Sequence, residues 1–120
     1  MSHSNPLHPQ QLTVFQALEL ANAHWNAGQA AQAEQLCLRV LQVAPLQHDA
    51  LNLLGMMMHA YGKPDLALDY IHKASQSPEA PAIIHSNLAE LYRQKGLLLE
   101  AEQAARRATE QEPELVAAWS

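Results

Sequence analysis

From about Gln10 onward, apolar residues return every three or four positions, and glycine or proline breaks the run at regular intervals. Leu12, Phe15, Leu18, Ala21 and Trp25 form a first stripe, widened by Val14 and Leu20 and stopped by Gly28. Such spacing lines up one side of a helix against a core. Glycine tolerates the left-handed backbone of a tight helix–helix turn. A second stripe of Ala33, Leu36, Cys37, Val40, Leu41 and Ala44 predicts a helix over about Ala30–Ala44, ended by Pro45. The pattern is then said twice more. Helices over about Gln47–Tyr61 and Pro64–Gln76 flank Gly62, with Pro78 beyond; helices over about Pro81–Lys95 and Leu98–Gln111 flank Gly96, with Pro113 beyond. Pro64 suits a first helical turn, where its missing N–H is not needed. Asp65, Glu100 and Glu102 fall early in their helices and Arg106 and Arg107 late, the favourable order for the helix dipole.

Gly28, Gly62 and Gly96 recur at a step of 34 residues, and so do Leu20/Leu54/Leu88, Ala21/Gly55/Ala89 and Ala33/Ala67/Ala101. The chain has 4 glycines, so three in register is a strong internal repeat. Helices of about 13–16 residues are marginal alone in water, so each pair must bury its apolar side within itself and against its neighbours. The small residues permit close backbone approach inside each pair, and the leucines are expected to fill the space between helices. Units stacked in one direction make a curved solenoid with a concave inner wall. The fold class is therefore an all-α solenoid of three helix-turn-helix units, about 14–46, 47–80 and 81–113 within 10–113. Residues 1–9, with Pro6 and Pro9, are expected to be a flexible lead-in. Residues 114–120, from Glu114 to Trp119, resemble the opening of a fourth unit, so a truncated fourth unit or a capping helix is expected there.

The period, the turn glycines, Leu54–Gly55, Leu88–Ala89 with Tyr92, Ala67, Ala101 and the closing prolines together resemble the tetratricopeptide repeat, over about Val14 to Pro113. The resemblance implies a right-handed superhelix that binds a protein or peptide in its concave groove. His24 and Met58 stand where the third unit has Tyr92, and Cys37, Ile71 and Ala105 stand where the family often has an aromatic residue. The run His85–Arg93, with Leu54–Gly55 before it, is also similar to repeats in bacterial relatives of O-linked N-acetylglucosamine transferase. That likeness implies a second reading, the substrate-recruiting front of a larger glycosyltransferase whose sugar-transferring domain follows the repeats. Asn87 matches that family's groove asparagine, but Glu19 and Leu53 hold the equivalent places in the other units.

In this architecture the first helix of each pair lines the groove. Residues three and four apart share a helix face, which gives Asn22, Trp25 and Asn26, then Asn52, Met56 and His59, then Asn87, Glu90, Arg93 and Gln94 as candidate groove residues; Glu19, Ala60 and Ile83 share the strip. Side-chain amides can hydrogen-bond the backbone of an extended peptide without demanding one sequence. Arg93 lies three residues after Glu90 and can pair with it.

Net charge −5, with three lysines and four arginines, argues against nucleic acid. No apolar run approaches the roughly 20 residues of a membrane span. Met1–Gln10 lacks the basic and apolar regions of a secretory signal, and a lone Cys37 suits a reducing compartment; a cytoplasmic protein is expected. The 7 histidines show no i, i+4 pair and have no cysteine pair beside them, so neither metal nor cofactor is expected. No Ser/His/Asp order, phosphate loop or carboxylate pair points to an enzyme in this chain. Ala101, Ala104, Ala105 and Ala108 in the last helix are expected to lack a covering unit and to offer a face for a homodimer.

Overall fold

The computed structural model describes residues 12–111. Among them are six helices and no strand: α1 (Val14–Asn26), α2 (Ala30–Val43), α3 (His48–Ala60), α4 (Pro64–Ser75), α5 (Ala82–Gln94) and α6 (Leu98–Gln111). The lead-in over 1–9, Pro113 and the fourth unit over 114–120 with Trp119 lie outside the described residues.

Local chemistry explains the boundaries. Leu12 and Thr13 precede α1, although the apolar stripe starts earlier, because Thr13 closes a capping box: its hydroxyl accepts from the Gln16 N–H and its own N–H donates to Gln16 Oε1, each at 3.0 Å. Gln47 caps α3 by accepting from the Ala50 N–H at 2.7 Å. The three glycines end α1, α3 and α5 in the same way, with φ of +79°, +76° and +78°. Gly28, Gly62 and Gly96 donate to the carbonyls of Trp25, His59 and Arg93, while Gln29, Lys63 and Leu97 donate to those of His24, Met58 and Tyr92 at 2.8–2.9 Å. This is one Schellman turn made three times, and it satisfies carbonyls that each helix end leaves open.

Each turn folds a helix back on its predecessor, pairing α1 with α2, α3 with α4 and α5 with α6; α2 then packs on α3, and α4 on α5. Leu54, Met57, Ile71, Ile84 and Cys37 are the largest fully buried side chains. Seven residues of α3 are buried but only two of α6, because α3 has a pair on either side. Gly55 faces Ile71 and the Ala67 carbonyl across the α3–α4 contact, so the close approach expected of the small column is present there.

Three expectations need correction. Leu20 does not fill an inter-helix space: it is 37% exposed, against 1% for Leu54 and 5% for Leu88, since no described helix packs before α1. Phe15 is not part of the core but 68% exposed, and Ala17, Leu18 and Ala21 take the buried side of α1. On α6, Ala104 and Ala108 are already buried within the array, leaving only Ala105 exposed and Ala101 half-buried. The column partners Ala33 and Ala67 are fully buried whereas Ala101 is half-buried, and among the described residues Ala101, Ala105, Ala89 and Leu98 border a concavity of about 480 Å³.

Candidate peptide-binding groove

The first helices α1, α3 and α5 stand side by side, and their outward faces form one wall. Two seams divide it. Across the seam between α3 and α5, Asn87 donates to Asn52 Oδ1 at 3.2 Å, and His59 Nε2 meets Gln94 Oε1 at 3.1 Å. Gln94 also donates to Glu90 at 3.1 Å, and Arg93 donates to Glu90 through Nε and Nη2. Glu90 is therefore held below the usual carboxylate range, first by its hydrogen bond from Arg93 and then by that from Gln94, and the same pairing raises Arg93. Both are exposed, so the pair adds little stability. The Asn52–Asn87 pair and the His59–Gln94–Glu90–Arg93 chain thus each satisfy much of their own polarity.

The seam between α1 and α3 is different. A groove of about 460 Å³ runs along it, lined by residues of these two helices alone. Leu18 and Leu53, 8% and 5% exposed, form the floor. Phe15, Trp25 and Met56 stand along the sides, with Met56 42% exposed and Trp25 half-buried against the core. Asn22, Asn26 and Asn52 supply amides, and Glu19 and Asp49 supply carboxylates. Asn22 donates to the Leu18 carbonyl at 3.0 Å, which leaves its side-chain oxygen open; Asn52, whose oxygen is taken by Asn87, points its Nδ2 only at Met56 Sδ, at 3.8 Å.

All ten residues singled out from the sequence lie on the first helices, six in the polar contacts of the α3–α5 seam and five lining the groove, with Asn52 in both. Phe15, Glu19 and Asp49 complete the groove; Glu19 belonged to the predicted strip, while Phe15 was assigned to the core and Asp49 was not singled out. The methionine run divides, with Met57 and Met58 buried and Met56 on the wall. His24 is half-buried and bonded to Gln29 Oε1 at 2.6 Å.

Two ionisable groups are buried away from the wall. Cys37 is fully buried, and burial, reinforced by Glu34, pushes its thiol up to about 11. His85, 2% exposed between α4 and α6, has its pKa lowered by burial and then by Arg107. Among the described residues no three His, Cys, Asp or Glu side chains gather closely enough to hold a metal ion, and no helix is long and apolar enough to cross a membrane.

No family profile matches the sequence, and no curated protein matches it. Solved structures do. The chain is similar to a mutant O-GlcNAc transferase of Thermobaculum terrenum, with a TM-score of 0.74 and 28% identity over 84% of this chain, and spans 19% of that chain. It is also similar to MamA, with a TM-score of 0.72 and 20% identity over 88% of this chain, and spans 61% of that chain. Both carry tetratricopeptide repeats. With its step of 34 residues, its three identical glycine turns and its six stacked helices, the chain has the fold of a tetratricopeptide-repeat solenoid.

Proposed function

We propose that this array is a non-enzymatic protein-interaction scaffold of the cytoplasm that holds an extended polypeptide segment along the wall of α1, α3 and α5. The observation that carries this reading is the α1–α3 groove, where large apolar side chains left partly in water alternate with amides that retain unused hydrogen-bonding capacity. Such a mixture suits a peptide whose backbone the asparagines grip and whose side chains the apolar wall covers. Selection of peptides from a random display library on the purified chain, followed by titration against Trp25→Ala and Asn26→Ala variants, tests it. Binders should weaken roughly tenfold or more on loss of the indole, the kind of residue that dominates interface energetics. Binders indifferent to every wall substitution would refute the reading.

The likeness to the O-GlcNAc transferase supports a second reading, in which these repeats recruit substrate for a longer glycosyltransferase. The reading frame beyond Ser120 decides it: a sugar-transferase domain downstream supports this reading, and a stop codon or an unrelated domain removes it.

A further inference from the structure

The α1–α3 groove carries a charge pattern that narrows its ligand. Its ionisable lining consists of Glu19 and Asp49, with no lysine, arginine or histidine among its walls. Glu19 makes no ion pair among the described residues, and the partner of Asp49 is its neighbour His48, at 3.5 Å, which is a cation only when protonated. At the other end of the wall, Glu90 is neutralised by Arg93. The negative charge of the inner surface therefore concentrates in the α1–α3 groove, which Trp25 also lines, in a chain whose net charge is −5. A groove that holds both carboxylates and an indole attracts a cationic segment twice over, through the charges and through the ring quadrupole.

We infer that this groove, if it is the peptide site proposed above, selects a segment bearing a large apolar side chain next to a lysine or arginine. The apolar group sits on Leu18, Leu53 and Met56, and the cation lies against Glu19 and Asp49 within the groove that Trp25 lines. The volume supports one bulky side chain with its flanking backbone, since binding pockets commonly measure about 300–1,000 Å³. Asn22 and Asn52 then meet that backbone.

Matched short fluorescent peptides, each with a central leucine flanked by two arginines, two alanines or two glutamates, read the selectivity by anisotropy on the whole chain. The arginine peptide should bind about tenfold more tightly than the glutamate peptide at low salt, the scale of two partly exposed ion pairs, with the alanine peptide between. Added salt should erase the difference. A Glu19→Lys, Asp49→Asn double variant should lose the preference or invert it. Both positions are exposed, and asparagine remains acceptable in the first turn of α3, so circular dichroism should show an unchanged fold. Equal binding of all three peptides with sensitivity to Trp25→Ala overturns the charge selectivity and leaves the peptide groove standing. A preference for the glutamate peptide also overturns it. Failure of all three peptides, together with failure of library selection, removes the groove and the selectivity with it.

Discussion

Gly55 is the position where the packing of the array can be tested most directly. It lies inside α3, where alanine ordinarily stabilises a helix by about 1 kcal/mol relative to glycine. Here a methyl group would run into Ile71 Cγ1, lie 2.9 Å from Ile71 Cδ1 and lie 3.1 Å from the Ala67 carbonyl oxygen. Ile71 is 2% exposed and Ala67 fully buried, so neither can swing into solvent. Forcing extra volume into a filled core costs about 1–3 kcal/mol, and a rigid carbonyl among the neighbours places this site toward the upper end. After subtraction of the helix-propensity gain, Gly55→Ala should destabilise the chain by about 1–2 kcal/mol, which lowers Tm by roughly 4–10 °C. Thermal and urea melts followed by circular dichroism measure both. The cause is checked by a double-mutant cycle. Ile71→Val alone should cost about 0.5–1.5 kcal/mol, and less than that in the Gly55→Ala background, because it removes Cδ1, one of the two clashing Ile71 atoms, while Cγ1 remains. A Gly55→Ala chain more stable than the parent by about 1 kcal/mol, or additive effects in the cycle, would refute the close α3–α4 approach.

Gly62 provides the opposite case: nothing lies within 4 Å of a Cβ there, but φ is +76°, so Gly62→Ala should cost about 1–2 kcal/mol through the backbone alone, with no coupling to Ile71 in the same melts. His85 should make the array acid-sensitive. Its folded pKa lies below the ordinary 6.5, so its contribution to stability is complete above that pH and declines as the pH falls below it; His85→Leu should shrink the difference in Tm between neutral pH and about pH 5, and an undiminished difference counts against the buried assignment. Cys37, with no exposure and a pKa of about 11, should resist thiol reagents until denaturant is added, and rapid labelling of the native chain would contradict its burial. The concavity bordered by Ala89, Ala101 and Ala105 should allow self-association at high concentration, weakened by Ala105→Glu; a strictly monomeric sedimentation profile refutes this.

Helix order and boundaries were legible because turn chemistry is local. Gly28, Gly62 and Gly96 mark their turns without reference to anything distant, and Pro64 and Pro81 mark starts in the same way. Periodicity was less informative about what lies opposite a stripe. Leu20 has the same spacing as Leu54, yet it is exposed because burial depends on a neighbouring pair that the pattern itself cannot report. Phe15 fell within a stripe wide enough to span two faces, one toward the partner helix and one toward the groove. Alignment by columns also concealed the contacts across the wall. It matched Asn87 with Leu53, which is buried, whereas the side chain that meets Asn87 is Asn52, one residue away. His59 and Gln94 are offset by the same single residue. Adjacent first helices therefore meet one position out of column, a consequence of stacking geometry rather than of the repeat. Asp49 was missed because a carboxylate in a first helical turn already has an explanation in the helix dipole.

The packing of each helix pair on its sequence neighbours has a consequence for how order is lost. Such an assembly has no single keystone. Opening should begin at α1 and α6, which among the described residues pack against helices on one side only, and move inward. Backbone amides of α3 would then be the last to exchange with deuterated solvent. The cation-seeking end of the wall joins these two extremes, since Trp25 and Glu19 ride on a peripheral helix and Asn52 and Asp49 on the most durable one. A guest bridging them would act as a clasp, slowing exchange in α1 far more than in α3.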